Sequence, residues 1–225
     1  EMAFTYQGAA FGKRVLPMVE KLGSKIVEEA DVENEESLDR LFARLQKEWG
    51  RLDILVNNAG LVLGKDSVET GLIDDWTTIF DTNVMGVLRL CRQFIPKFRA
   101  NEKGHIVMIG SIAGHQVYEG GSVYCASKFS VKVITETLRL ELNGTKIRVS
   151  SVDPGMVETE FSEVRFKGDK EKAKLVYKGC TPLEARDVAE AVEFATSRPA
   201  HVNIDNILIM PTDQASATKV HRRTT

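Results

Sequence analysis

The chain has 225 residues, 43% hydrophobic and 28% charged, as expected for a globular domain with a sizeable core. Its formal net charge of −2 gives no electrostatic basis for binding nucleic acid or an anionic membrane surface. Three scattered cysteines predict neither disulfides nor a metal site, and no apolar run is long enough to span a bilayer. With no secretory signal at the start, we expect a cytoplasmic protein with one domain over residues 1–225.

Short apolar segments alternate with amphipathic segments along the chain. Strands are expected at residues 2–6, 25–30, 53–56, 105–109, 147–152 and 206–210. Helices are expected at residues 9–22, 33–49, 75–100, 123–142 and 182–196, whereas residues 153–180 have no strong period. This alternation predicts βα units and therefore an α/β fold with a doubly wound parallel sheet.

Polar or turn-forming residues follow four of the predicted strands. They are Asp31, Asn57, Ser111 and Pro154. Because open parallel sheets bind ligands beyond the carboxyl ends of their strands, these positions predict a nucleotide-type site. Each position also has a structural interpretation: Asp31 would be a helix N-cap, and the Asn–Gly and Pro–Gly sequences would form turns.

Tyr124 and Lys128 are four residues apart on a predicted helix, so their side chains share one face. An adjacent ammonium favours the phenolate and would lower the pKa of Tyr124 from its usual value near ~10. Ser111, at a strand end, could hydrogen-bond a substrate oxygen opposite the phenol. A Tyr–Lys pair at this spacing is more often a pair of surface neighbours, so the surrounding motifs must decide between the two interpretations.

The ordered motifs resemble those of the short-chain dehydrogenases/reductases. They are Asn57-Asn-Ala-Gly60, Asn83, Ser111, Tyr124-Cys-Ala-Ser-Lys128 and Pro154-Gly155. The resemblance covers nearly the whole chain and implies a Rossmann-like fold without a metal. It also implies hydride transfer between a nicotinamide cofactor and a small-molecule substrate. The cofactor would be NADP(H), with NAD possible, and the substrate would be a hydroxy acid or an alcohol/carbonyl. Residues 144–149, 154–162 and 211–216 are similar to the NADP-dependent 3-hydroxy acid dehydrogenases in particular.

The resemblance implies a role for each catalytic residue. Tyr124 would be the general acid/base, and Ser111 would steady the substrate oxygen. Lys128 would lower the pKa of the phenol and hydrogen-bond the nicotinamide ribose. Asn83 would interrupt its helix and help to hold a water molecule that links Lys128 to solvent in a proton relay.

Further residues are implied to bind the cofactor, in addition to Tyr124 and Lys128. They are Asp31 and Val32 at the adenine, Asn57, Ala59 and Gly60 near the adenosine ribose, and Pro154, Gly155, Val157 and Thr159 at the nicotinamide end. Residues 164–177 would form a substrate lid. In this lid Arg165 is a candidate for binding a substrate carboxylate, since a guanidinium suits bidentate capture, although a solvated surface charge is the simpler interpretation.

The start of the chain departs from the family pattern. Gly8 and Gly12 have the first spacing of the family's glycine-rich phosphate loop, but Arg14 stands in place of the third glycine. We therefore align residues 2–6 with the family's second strand, which leaves the first strand, the glycine loop and the first helix without a counterpart. In this alignment residues 4–8 and 12–15 resemble bacterial enoyl-carrier-protein reductases.

Two alternative functions stay open. The chain could be a non-catalytic or truncated family member that serves as an interaction module, or an enoyl reductase-like enzyme of fatty acid synthesis. Neither Tyr118 nor Tyr124 is followed by a lysine at the spacing that enoyl reductases use, which favours carbonyl/alcohol chemistry.

Two further expectations concern the cofactor and the assembly. Gln7 is neutral, and Lys13 or Arg14 could reach a 2′-phosphate, which favours NADP over NAD. Apolar residues on more than one side of the helices at 75–100 and 123–142 predict a homodimer or homotetramer.

Overall fold

The computed structural model describes residues 3–6, 21 and 26–223. The strands in this part of the chain are β1 (Ala3–Tyr6), β2 (Ile26–Glu29), β3 (Ile54–Asn57), β4 (Gly104–Ile109), β5 (Ile147–Pro154) and β6 (Asn206–Ile209). The α-helices are α1 (Glu35–Trp49), α2 (Ile73–Phe80), α3 (Gly86–Ala100), α4 (Ser122–Glu141), α5 (Phe161–Arg165), α6 (Lys170–Tyr177) and α7 (Ala185–Thr196). None of these helices is both long and apolar enough to cross a bilayer.

All of the strand pairs are parallel. β1 pairs with β2, and a four-stranded sheet has the order β3-β4-β5-β6. Helices flank the strands, so the predicted α/β fold with a Rossmann-like parallel sheet is confirmed. Because the strands are parallel, the ends of β3, β4 and β5 lie at one edge of the sheet, and the predicted site residues follow there.

The helix predicted at residues 75–100 is interrupted. Residues 81–85 form a π-helix between α2 and α3, and Asn83 lies in the middle of it. Such π-turns inside α-helices are rare and frequent at functional sites. The interruption at Asn83 agrees with the expectation from the family resemblance.

Other boundaries differ from the sequence predictions for local reasons. The N-cap of α1 is Asn34, whose side chain accepts a hydrogen bond from Ser37 N, so the prediction of an Asp31 N-cap is wrong. Asp31 instead accepts a hydrogen bond from Glu33 N in the preceding turn. The last predicted helix begins at Ala185, where a capping box fixes its start. The predicted helix at residues 9–22 lies outside the described residues except at position 21.

A hydrophobic core joins the helices to the sheet. It includes Leu38, Leu41 and Leu45 of α1, Phe94 and Phe98 of α3, Ile106 and Met108 of β4, and Val131 and Leu138 of α4. The apolar residues of each helix recur three or four positions apart, which places them on one face. This core includes residues of β4, which ends just before Ser111, and of α4, which carries Tyr124.

One edge of the larger sheet is open. Ile54 and Val56 of β3 are 41% and 42% exposed, and no strand among the described residues pairs with β3 on the side away from β4. β1 and β2 form their own pair rather than continuing this sheet. The parallel sheet is therefore divided in two in this part of the chain.

Candidate active site

The turn between β4 and α4 brings three predicted residues together. Ser111 follows β4 and caps a 3-10 helix (Ile112–Gly114) by accepting a hydrogen bond from Ala113 N at 3.1 Å. α4 begins at Ser122, so Tyr124 lies in its first turn and Lys128 one turn later. Ser111, Tyr124 and Lys128 are all buried. The predicted surface-neighbour alternative for the Tyr–Lys pair is therefore wrong.

Burial dominates the ionisation of Tyr124. It raises the pKa of the phenol well above its ordinary value, whereas a hydrogen bond with Ser111 and the charge of Arg165 act in the opposite direction. The expectation that Lys128 holds this pKa below its usual value is wrong for this structure. Lys128 Nζ lies 5.9 Å from the centroid of the Tyr124 ring and is directed to the Ile109 carbonyl.

Lys128 is held at the carboxyl end of β4. Its Nζ donates a hydrogen bond to Ile109 O at 2.9 Å. Burial lowers the pKa of Lys128 to about 8, and the negative charge of Asp153 opposes this effect. At a given pH the Lys128 amine is therefore protonated less readily than that of an exposed lysine.

Asn83 connects the π-helix to the site. Its Oδ1 accepts a hydrogen bond from Leu61 N at 2.8 Å, and its Nδ2 donates to Leu61 O at 2.9 Å and to Ser127 Oγ at 3.0 Å. A Cβ at position 60 would lie 3.3 Å from Asn83 Oδ1 and 3.5 Å from Lys128 Nζ. Asn83 and Lys128 thus border the same space above Gly60.

Two cavities meet at Ser111 and Tyr124. The first, of about 530 Å³, is lined by many of the predicted cofactor residues: Gly60, Lys128, Pro154, Gly155, Val157 and Thr159. The second, of about 700 Å³, is lined by Arg165, Tyr118, Phe161 and residues of α6 and the C-terminal segment. A substrate group next to Tyr124 would therefore be accessible from both cavities.

The remaining predicted cofactor residues do not line these cavities. Val32 packs in the core against Gly86, and Asp31 belongs to the turn before α1. Ala59 is exposed. The Asn57 side chain is buried, its Nδ2 lies 3.3 Å from Met108 Sδ, and its Oδ1 has no hydrogen-bond partner in the structure.

Arg165 lies inside the site. Its guanidinium carbon is 5.6 Å from the ring centroids of both Tyr124 and Phe161, and its Nη2 donates a hydrogen bond to the Tyr118 hydroxyl at 3.0 Å. Its Nε is buried without a partner. The simpler interpretation of Arg165 as a solvated lid charge is therefore wrong.

Three residues at or next to the site were not predicted from the sequence. Tyr118 orients Arg165, and its position in an irregular loop gave no periodic signal. His115 and Asp153 lie 2.5 Å apart, between His115 Nε2 and Asp153 Oδ2, although 38 positions separate them in sequence. Asp153 directly precedes Pro154, so its place at the end of β5 could have been noticed.

Comparison with known proteins decides the family. The family model for short chain dehydrogenases matches residues 11–170. The chain belongs to the short-chain dehydrogenase/reductase family.

Relatives and solved structures agree with this assignment. The chain is 46% identical over 193 residues to the NADP-dependent 3-hydroxy acid dehydrogenase of Schizosaccharomyces pombe, covering 86% of this chain and 74% of the relative. It is 41% identical over 214 residues to the NADP-dependent 3-hydroxy acid dehydrogenase YdfG of Escherichia coli, covering 94% of this chain and 86% of the relative. A serine dehydrogenase solved in its closed form with NADP+ superposes with a TM-score of 0.90 at 40% identity, covering 97% of this chain and 88% of that one.

The order of the strands clarifies the start of the chain. In a doubly wound sheet of order 3-2-1-4-5-6, the first strand lies between the second and the fourth. The described strands give the orders β2-β1 and β3-β4-β5-β6, with no strand between β1 and β3. This pattern agrees with the alignment of β1 to the family's second strand. Residues 8–15, which include Gly8, Gly12 and part of the stretch that resembles enoyl reductases, lie outside the described residues.

The buried ammonium predicts a pH-dependent stability. A lysine in an unfolded chain titrates near ~10.4, well above the value of about 8 for Lys128. Between these values the unfolded chain binds more protons, so the free energy of unfolding rises with pH. Between about pH 8 and pH 9.5, the free energy of unfolding of the wild-type protein should rise by about 1–2 kcal/mol more than that of Lys128→Met. Urea unfolding of both proteins at each pH measures this difference. Parallel pH dependences of the two proteins would contradict this assignment.

Proposed function

We propose that the protein is an NADP-dependent dehydrogenase that oxidises the hydroxyl group of a 3-hydroxy acid and reduces the corresponding carbonyl compound. The observation that carries the proposal is the meeting of two cavities at Ser111 and Tyr124. One contains the residues expected around a nicotinamide, and the other contains Arg165. The names of the relatives, which are NADP-dependent 3-hydroxy acid dehydrogenases, support the same substrate and cofactor.

The nicotinamide end of NADP fits the smaller cavity. Its volume of about 530 Å³ and the mixed polar and apolar lining from Lys128, Pro154, Gly155, Val157 and Thr159 suit a nicotinamide riboside. When bound, NADP supplies the acceptor for the hydride that leaves the alcohol carbon. Lys128 would hold the ribose hydroxyls, and Thr159 would lie near the carboxamide or the pyrophosphate. Asp31, Val32, Asn57, Ala59 and Gly60 stay predictions for the adenosine end.

Tyr124 is the proposed general acid/base of the reaction. In the oxidation direction Tyr124 would act as the phenolate, and the O–H proton of the substrate would pass to its oxygen while the C–H bond breaks with its electron pair. Ser111 acts to lower the pKa of the phenol and borders both cavities, so it can hold the substrate oxygen next to Tyr124. In the reduction direction the same groups return the proton to the carbonyl oxygen.

Lys128 and Asn83 connect this proton to solvent. Both side chains border the space above Gly60, next to the site, and Asn83 is fixed there by its bonds to Leu61 and Ser127. The charge of Lys128 would stabilise the phenolate once its Nζ is directed to the ribose rather than to Ile109 O. We infer that a water molecule held at Asn83 passes the proton outward.

Replacing Tyr124 tests the chemistry. Tyr124→Phe should lower kcat by about 10²–10⁴-fold, since a positioned general acid/base contributes this much. NADPH binding should be retained, and nicotinamide fluorescence titration would measure it alongside circular dichroism of the fold. An unchanged kcat in Tyr124→Phe would contradict the proposal.

Titration of the wild-type protein with NADPH distinguishes the enzyme hypothesis from the hypothesis of a non-catalytic interaction module. Saturable binding of NADPH at micromolar concentration, tighter than that of NADH, is expected for the enzyme. The family's glycine loop has no counterpart in this sequence, which motivates the alternative of a module that has lost nucleotide binding. A wild-type protein that binds neither nucleotide would favour that alternative.

Arg165 is the proposed anchor for the substrate carboxylate. It lies beside Tyr124 on the wall of the larger cavity, and its Nε is buried without a partner. A carboxylate accepts two parallel hydrogen bonds from a guanidinium, which would satisfy this donor. The hydrogen bond to the Tyr118 hydroxyl keeps the guanidinium at a fixed place relative to the phenol.

A pair of variants tests this anchor. Arg165→Gln should raise KM for a 3-hydroxy acid by about 10–100-fold and leave KM for the matching alcohol without a carboxylate nearly unchanged. Arg165→Lys keeps the charge but not the bidentate geometry. Its KM for the 3-hydroxy acid should therefore lie between those of the wild-type protein and Arg165→Gln. Steady-state kinetics with both substrates provides the measurement, and equal losses for acid and alcohol would contradict the assignment.

The exposed apolar surfaces of the helices support a homodimer or homotetramer. Val87, Leu90 and Phe94 of α3 are buried in the core, whereas Leu88 is 39% exposed. Other exposed apolar side chains on α2, the π-helix and α4 are Ile73, Phe80, Met85, Phe129 and Val133. These helices could pack against a second copy in a four-helix bundle.

Light scattering tests the assembly. At micromolar concentration the mass should be two or four times the chain mass of 25.0 kDa. Leu88→Asp would bury a charge in the contact and should lower this mass. Leu175→Asp, at an exposed leucine on α6, is the matched control and should leave the mass unchanged. A monomeric wild-type protein would contradict the proposal.

The cytoplasmic location stays a prediction. Cys91, Cys125 and Cys180 are all free thiols in the structure, as expected for a protein of a reducing compartment.

A further inference from the structure

Tyr177, the last residue of α6, has a hydroxyl group with no role in the chemistry described so far. The hydroxyl donates a hydrogen bond to Val157 O at 2.8 Å and lies 2.7 Å from Ser162 Oγ. Because the phenol gives its one proton to Val157, the Ser162 hydroxyl is the donor in the second bond. One oxygen atom on the wall of the larger cavity therefore joins α6, α5 and the segment that follows β5.

The Val157 end of this contact belongs to both cavities. Gly155 and Val157 line the smaller cavity as well as the larger one, so the segment that contains them separates the two. The backbone of this segment is fixed by two further bonds. Met156 N donates to Gln214 Oε1 at 2.8 Å, and Leu183 N donates to Met156 O at 2.9 Å. The Val157 carbonyl is thus a fixed acceptor on the wall between the cavities.

The Ser162 end of the contact leads to Tyr124. Ser162 is 3% exposed and lies in α5, the helix that begins at Phe161 and ends at Arg165. The centroid of the Tyr124 ring is 5.7 Å from that of Phe161 and 5.6 Å from the guanidinium carbon of Arg165. A shift of α5 would therefore move both side chains relative to the phenol.

The C-terminal segment, residues 211–223, holds the end of α6 in place by other bonds. Arg222 Nη2 donates to Val176 O at 2.9 Å, and Arg223 N donates to Gly179 O at 2.8 Å. These bonds do not involve the hydroxyl of Tyr177. Removal of that hydroxyl therefore breaks the connection to α5 and Val157 while the attachment of α6 to the C-terminal segment is kept.

We propose that Tyr177 is a positioning residue whose hydroxyl ties α5, and with it Arg165, to the wall of the cofactor cavity at Val157. The proposal rests on the proposed function, in which Arg165 binds the substrate carboxylate and the nicotinamide occupies the smaller cavity. A cofactor that packs on the Val157 wall would also order Arg165 through this hydroxyl. Because the first ligand then bears part of the ordering cost of the second, the two should bind cooperatively.

This coupling is measured by the affinity for one ligand with and without the other. NADPH and a 3-hydroxy acid are the reduced cofactor and the reduced substrate, so they do not react with each other and their complex is at equilibrium. NADPH is titrated, with nicotinamide fluorescence as the signal, in the absence and in the presence of saturating 3-hydroxypropionate. The ratio of the two dissociation constants is the coupling factor, and linkage makes it the same factor for the acid.

Tyr177→Phe removes the hydroxyl and keeps the ring. In the wild-type protein the acid should tighten NADPH binding by at least about 5-fold. In Tyr177→Phe this ratio should fall by about 2–10-fold, the range expected for the loss of one hydrogen bond. The dissociation constant of NADPH alone should stay nearly unchanged, and circular dichroism checks the fold. A folded variant with the wild-type ratio would overturn the proposal.

Tyr118→Phe is the matched control, since the Tyr118 hydroxyl contacts Arg165 directly. This variant should need more acid for saturation, with or without the cofactor, and should keep the wild-type ratio. A loss of the ratio equal to that in Tyr177→Phe would show that any weakening of the Arg165 support has this effect, and would overturn the proposal.

Ser162→Ala provides a second test, because it keeps the bond to Val157 and removes the link to α5. Its ratio should also fall, and an unchanged ratio would overturn the proposal even if Tyr177→Phe does not fold. The proposed function fails separately, through undiminished kcat in Tyr124→Phe or through a wild-type protein that binds no NADPH. A wild-type ratio of 1 with normal turnover would overturn the role of Tyr177 alone.

Discussion

The site depends on keeping an ammonium charge inside the protein. Burial of Lys128 penalises its charged form, and two groups at the carboxyl end of the sheet act against that penalty. They are the Ile109 carbonyl at the end of β4 and the Asp153 carboxylate at the end of β5. The register of β4 and β5 ends these adjacent parallel strands together, so the Ile109 carbonyl that accepts from Lys128 and the Asp153 carboxylate both lie at the carboxyl end of the sheet.

Tyr124 and Lys128 illustrate how far spacing alone can lead. Their separation of four residues predicted a shared helix face, and the structure places both inward rather than at the surface. The direction of the phenol pKa could not be predicted this way, because it depends on burial by residues that are distant in sequence, such as Phe161 and Arg165. Sequence patterns identify the groups, whereas the dielectric around them is a property of the packed chain.

The same contrast applies to the rest of the site. Pro154 ends β5, and Gly155, Val157 and Thr159 come just after it, so an argument from strand ends was sufficient to predict their place at the cavity. The pairing of His115 with Asp153 comes from the turn after Ser111 meeting the end of β5, which no local period reports. Asp31 and Val32 also follow a strand, but they form the turn and core contact that start α1. A strand end therefore favours a ligand contact but is not sufficient for one.

Within the described part of the chain β3 has no partner strand on the side away from β4, and such an edge matters for behaviour in solution. An unpaired strand edge with apolar side chains such as Ile54 and Val56 can template the addition of another extended chain, and so promotes aggregation. Charges just before the strand counter this tendency, since Arg51 pairs with Asp53 and Lys103 lies 3.5 Å from the same carboxylate. Charged residues therefore flank the start of an apolar strand, the position that gatekeeper residues take in other proteins.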